Sequence, residues 1–199
     1  MKTLLLSAVA AGLMATAPAF AATTIDFDGP ASFDSIADYY AGLGVDFGLD
    51  ALAIQNDELG PYFSNNPSAL GVMSAVGADA AMNVAAGFTG TASFFYSSLE
   101  AVTVGVYSGL NGTGTLLGSF ELSANADLGC SDSAFCNWTE TSLSFNGVAK
   151  SIAFGAAADV AGFDNVTISA VPEPSQAIML ALGLSVIGAR SLRRRKSVK

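Results

Sequence analysis

Between Ala22 and Ala170 the chain alternates apolar and polar residues in short runs. In EAVTVGVYSG, Val102, Val104 and Val106 share one side, and Thr103, Gly105 and Tyr107 share the other. TSLSFNG sets Leu143 and Phe145 against Ser142, Ser144 and Asn146, while SIAFGA offers Ile152 and Phe154. FDNVTIS offers Val166 and Ile168, and TIDFDG offers Ile25 and Phe27 against Asp26 and Asp28. GVDFG and TASFFYSS are further strand candidates. Period-two alternation bounded by Gly, Asn, Asp and Ser predicts half-buried strands. A short helical turn is predicted at Ser35–Tyr40. The Ala-rich stretch from Gly71 to Phe88 has helical propensity, but Gly71, Gly77 and Gly87 interrupt it, so strands are predicted there too. No helical pattern alternates with the strands. The expected fold class is therefore all-β: a single antiparallel β-sandwich or jelly-roll-like body over residues 22–170.

Both ends depart from this pattern. Met1-Lys2, the apolar run Leu4–Ala17 and Ala19-Phe20-Ala21 stand in the order of a secretory signal peptide, predicted to be cut after Ala21. At the other end Pro172 and Pro174 break any regular element. Ala177–Ala189 then runs thirteen residues without a charge. As a C-terminal apolar helix this run would span about 20 Å, against a bilayer core of about 30 Å. A basic cluster follows: Arg190, Arg193, Arg194, Arg195 and Lys196. The run is short for a durable anchor. It suits a transient stop in the inner membrane, with the basic cluster on the cytoplasmic side.

This three-part tail, Val171-Pro172-Glu173-Pro174 followed by the apolar run and the arginines, resembles the PEP-CTERM sorting signal of Gram-negative bacteria. The resemblance covers residues 171–199. It implies export, recognition and tail removal by an exosortase, and a mature form at the cell surface or outside the cell. It also implies an association with exopolysaccharide. It names a route and leaves the activity of the body open.

Charge narrows the partners. The stretch from Ala22 to Ala170 holds 16 acids and one base, Lys150, for a formal charge of −15. Such a body repels phosphate backbones and anionic membranes, which excludes both nucleic acid and anionic membranes as partners of the body. Cys130 and Cys136, close in sequence on an exported chain, predict a disulfide. With no histidine in the chain, Ser-His-Asp and Cys-His catalysis are absent and a zinc site lacks ligands. A carboxylate pair drawn from Glu58, Glu100, Glu121, Glu140 and the aspartates remains as a glycosidase alternative. Asp26, Asp28 and Asp164, at the two ends of the body, form a candidate calcium set, with solvated turn acids as the plainer reading. Trp138 with Tyr39, Tyr40, Tyr62, Tyr96 and Tyr107 form a candidate sugar-stacking set, with core packing as the plainer reading. Asn111, Asn137 and Asn165 open N-x-T triplets, which matter only in an organism that glycosylates its exports. The expectation is a non-catalytic surface or matrix protein with polysaccharide as its candidate ligand. The alternative is a secreted glycosidase.

Overall fold

The computed structural model describes residues 22–58, 60–170 and 183–184. The predicted signal peptide (1–21), Val171, Pro172, Glu173 and Pro174, and the cluster Arg190, Arg193, Arg194, Arg195 and Lys196 lie outside the described residues. So does the apolar run, apart from Gly183 and Leu184, which are helical. Among the described residues no helix is long and apolar enough to cross a membrane.

Among the described residues nine strands form the body: β1 (Ala22–Ile25), β2 (Asp46–Phe47), β3 (Ala51–Gln55), β4 (Gly71–Ala75), β5 (Ala81–Ser98), β6 (Val102–Tyr107), β7 (Leu116–Leu122), β8 (Thr139–Ala153) and β9 (Ala161–Ala170). All pairings are antiparallel, in the order β3-β4-β9-β5-β8-β6-β7, with β1 beside β9 and β2 beside β5.

The two layers of the expected sandwich come from one sheet that doubles over. β5 and β8 are each far longer than an ordinary strand, at 18 and 15 residues. Their pairing shifts register between Asn83 and Phe88 and again between Phe88 and Gly90. Such bulges bend a strand and turn a sheet. Gly87 makes the corner possible: its φ is +85°, and a Cβ there would collide with Val148 Cγ1. Beyond the corner, β8 pairs with β6 through Ile152 and Val106, and β6 carries β7. Phe94 on β5 then meets Phe120 on β7 at 4.4 Å, and it meets Phe163 and Phe154 at 5.4 and 5.7 Å. Phe27, Phe88, Phe94, Phe154 and Phe163 are fully buried. Each is worth about 1.5–3 kcal/mol relative to exposure, so this aromatic layer dominates the core.

Alternation holds where it was predicted. Val104, Val106, Ile152, Val166 and Ile168 all face the core. TSLSFNG and SIAF are not two strands, however. They are the two arms of β8, joined across the bend at Gly147. TASFFYSS likewise continues the end of the Ala-rich stretch in β5, whose first part is β4. The predicted helical turn at Ser35–Tyr40 lies later, as a 3₁₀ turn at Ala41–Leu43.

Candidate functional site

Register places Ile54 opposite Val72, and Ser74 opposite Gly162. These four share the outer face of the β3-β4-β9 arm, since their neighbours Ala53, Met73 and Phe163 are buried in the core. A cleft of about 180 Å³ opens above them, walled by Phe33, Tyr62, Phe63, Phe135 and Trp138. Five aromatic rings thus stand on an apolar floor that includes one hydroxyl, Ser74.

Each wall is held by a different device. The Asn56 side chain accepts from Tyr62 N (2.8 Å) and Phe63 N (3.3 Å) and donates to Phe63 O (2.8 Å), which curls the loop after β3 back on itself. Gln55 Nε2 donates to Pro30 O (2.6 Å) and Asp28 O (3.2 Å), fixing the segment that leads to Phe33. Phe33 N donates to Ala53 O at 2.7 Å. Phe33 is half exposed and adopts φ 64°, a region unfavourable to a bulky residue and one that recurs at ligand sites. Its ring meets Tyr62 edge-on at 5.3 Å.

The opposite wall comes from the disulfide loop. Cys130 and Cys136 are bonded, with Cα atoms 6.0 Å apart. This loop is stitched to the Tyr62 loop. Phe63 and Phe135 form a parallel bridge, Ser64 N donates to Phe135 O (3.0 Å), and Asn65 Nδ2 donates to Cys136 O (3.2 Å). Trp138 Nε1 donates to Ser64 O at 2.9 Å, so its ring stands edge-on to Phe63 with a centroid distance of 6.4 Å. Partial desolvation and the neighbouring Asp57 carboxylate hold the Tyr62 phenol above its ordinary value, so it stays neutral at physiological pH.

On the connection from β3 to β4, Ser68 joins the two ends of the body. Its hydroxyl lies 2.8 and 3.0 Å from the Asp164 carboxylate oxygens, 3.2 Å from Asp28 Oδ1 and 2.9 Å from Asp26 O. Ser68 N and Asn165 N donate to Asp164 at 2.9 and 2.7 Å, and Leu70 N and Gly71 N donate to Asp28 Oδ1 at 2.9 and 2.8 Å. Asp164 is fully buried, and burial pushes its carboxyl up to about 6 against the pull of these donors. The sequence gathered Asp26, Asp28 and Asp164 as calcium ligands. The structure brings the carboxylates of Asp28 and Asp164 to one hydroxyl, Ser68, with Asp28 Oδ1 and both Asp164 oxygens accepting from backbone N–H groups, while Asp26 meets Ser68 through its backbone oxygen. Among the described residues no set of three or more His, Cys, Asp or Glu is arranged to hold a metal ion.

The other sequence candidates scatter. Of the proposed sugar-stacking set, Trp138 and Tyr62 reach the cleft. Tyr96 is buried, and its hydroxyl accepts from Ser123 N at 3.3 Å. Tyr40 is buried beside Phe27 and Phe47, exposed Tyr39 packs on Tyr40, and Tyr107 lies on β6. Among the glutamates, Glu121 accepts from Thr103 and Ser119 hydroxyls on β6 and β7, and Glu140 stands on β8 opposite Phe95. Phe33, Phe63 and Phe135 were missed. Phenylalanine carries no polar handle, and nothing in one sequence separates a cleft Phe from a core Phe.

Residues 170–196 match the family model of the PEP-CTERM protein-sorting motif. No curated protein sequence matches the chain. Among solved structures, the chain is similar to a family 6 carbohydrate-binding module of Clostridium stercorarium in complex with cellobiose, at 15% identity over 75% of this chain and 94% of that one, with a TM-score of 0.41. It is similar to a family 29 carbohydrate-binding module of Piromyces equi at 14% identity over 64% and 81%, with a TM-score of 0.37. It is also similar to the C-terminal family 6 module of a laminarinase of Zobellia galactanivorans at 13% identity over 75% and 99%, with a TM-score of 0.38.

Proposed function

We propose that this surface-sorted chain, which carries the PEP-CTERM motif at residues 170–196, binds polysaccharide through the cleft of Phe33, Tyr62, Phe63, Phe135 and Trp138. The observation that carries the reading is a cleft over one outer sheet face walled by five aromatic rings, of which Phe63 is buried at the back and Phe33 is half exposed. Aromatic faces pack against the apolar faces of sugar rings, and the neutral Tyr62 phenol and Ser74 hydroxyl supply hydrogen bonds. The volume of about 180 Å³ is below the roughly 300–1,000 Å³ of a pocket that engulfs a ligand. It seats one ring of a chain that continues outside. The body's charge of −15 favours a neutral glycan over a polyuronate.

In this reading binding proceeds without turnover. The carboxylates that share Ser68 are engaged with backbone donors, and Asp164 has no exposure to a substrate. The reading includes export, removal of the tail by an exosortase and release or display at the surface. Affinity electrophoresis through gels containing neutral polysaccharides tests it. Retardation of the wild type, lost in Trp138→Ala, supports it. Release of reducing ends, or mobility unchanged on every neutral glycan, refutes it. Intact mass of the surface protein tests the processing arm: a mass that retains Leu192–Lys199 refutes tail removal.

A further inference from the structure

The cleft and Ala170, the last described residue of the body, lie toward opposite ends of β9. β9 passes beneath Trp138 at Gly162, next to its start, and runs to Ala170. At about 3.3 Å per residue these points are about 25 Å apart. The N-terminal side of the body returns to the tail end, because Ala22 pairs with Ser169. The corner where the sheet doubles over is there too. Ala170 pairs with Phe88, which pairs with Ala149, and Gly90 pairs with Phe145.

That corner has its own chemistry. Ala85–Gly90 and Asn146–Lys150 contain no acid, in a body with 16 of them, and Lys150 is the body's one base. Ala85, Ala86, Gly90, Asn146, Gly147 and Val148 are exposed, and the Lys150 stem lies against Gly87. Six residues, Val171–Gln176, separate Ala170 from the uncharged run Ala177–Ala189. Fully extended, they reach about 20 Å.

We infer that the corner built from Ala85–Gly90 and Asn146–Lys150 is the face this body turns toward the lipid surface while its C-terminal segment is inserted there, so that the aromatic cleft points away from the bilayer. The short leash keeps the body at the membrane. Repulsion between the acids and anionic headgroups orients it, because the acid-free corner with Lys150 is the face that approaches at least cost. The inference rests on the sorting segment and the fold, and it is independent of what the cleft binds.

Labelling of the full-length chain in anionic phospholipid vesicles tests it. The two native cysteines are bonded to each other, so single thiols can be introduced by Asn146→Cys and Ala86→Cys at the corner and by Pro61→Cys beside the cleft. A small maleimide reports intrinsic reactivity and folding at each site. A bulky polymer maleimide reports the space around it. With rates normalised to the small reagent, the bulky reagent is expected to react several-fold more slowly at both corner sites than at Pro61→Cys. Adding Lys150→Glu is expected to reduce that difference. Equal bulky-reagent rates at corner and cleft, or shielding of Pro61→Cys, overturn the inference.

Discussion

A Cβ built on Gly162 would lie 3.1 Å from Cη2 of Trp138. The indole therefore rests on bare backbone of β9, and Ser64 O fixes its far edge through Nε1. Gly162→Ala should displace the ring by a few tenths of an ångström and leave the body folded. Gly162→Val should push it further into the cleft. Trp138 is the chain's one tryptophan, so its emission reads the displacement directly. The emission maximum and glycan retention should change together across Gly, Ala and Val. Emission that shifts while retention stays constant would separate Trp138 from binding.

Truncation of the walls should affect binding far more than folding. Trp138→Ala is expected to weaken retention at least about tenfold, or ~1.4 kcal/mol, and Phe33→Ala somewhat less, on the scale of aromatic contacts. Phe33 is half exposed, so its removal should leave the melting temperature within about 2 °C of the wild type. Titration calorimetry beside a thermal melt checks both.

Ser68→Ala removes the hydroxyl shared by Asp28 and Asp164 and leaves buried Asp164 short of one donor. The expected cost is about 1–3 kcal/mol, read as a shift in denaturation midpoint at pH 7. Ser68→Thr keeps the hydroxyl and should recover part of the loss. The alanine variant should also loosen Tyr62 and Phe63, which lie on the same connection from β3 to β4.

Asp164 gives stability a defined pH dependence. Its carboxyl is raised from 3.8 to about 6, first by burial and further by Asp28, against hydrogen bonds from Ser68 and Asn165. The folded body therefore holds this proton more tightly than the unfolded chain does. The contribution is full below about pH 4, declines as pH rises toward 6, and is constant above that. About two pKa units correspond to at most about 3 kcal/mol. Urea denaturation between pH 4 and 7 should show the wild type losing stability relative to Asp164→Asn over this window. Parallel curves would place the titration elsewhere.

Reduction of Cys130–Cys136 opens a loop with a sequence separation of only 6. Chain-entropy arguments give about 2 kcal/mol for so small a ring, too little to unfold the body. The cleft should respond more strongly, since Phe135 and Trp138 hang from this loop. Mild reduction is expected to weaken glycan retention while far-UV circular dichroism stays β-rich.

The alternation rule read the strands well because a buried face imposes it. Val104, Val106, Ile152 and Ile168 each point where their period predicts. It failed at the corner, where Gly87 and Gly147 bend β5 and β8, because a strand that changes layers resembles two strands in sequence. It also passed over β3 and β7. In β3 both faces are covered, the inner by the core and the outer by the cleft walls, so Leu52 and Ile54 follow one another among alanines. Two of the five aromatic walls of the cleft, Trp138 and Tyr62, were legible. The phenylalanines were not, since their place depends on Asn56 and on the bridge between Phe63 and Phe135, which joins segments some seventy residues apart. The sequence grouped Asp28 and Asp164 from the two ends, and in the structure they share one hydroxyl. Their common partner, Ser68, lies in neither end.

β9 is the last strand of the body, and it pairs with β1, β4 and β5. A chain that crosses a membrane N-terminus first delivers these ten residues after every other part of the sheet. Until they arrive, Ile25, Met73 and Phe94 lack the partners that bury them. The sheet is closed by the segment that immediately precedes the sorting motif, so on the proposed export route the core is completed only by the last part of the body to be delivered.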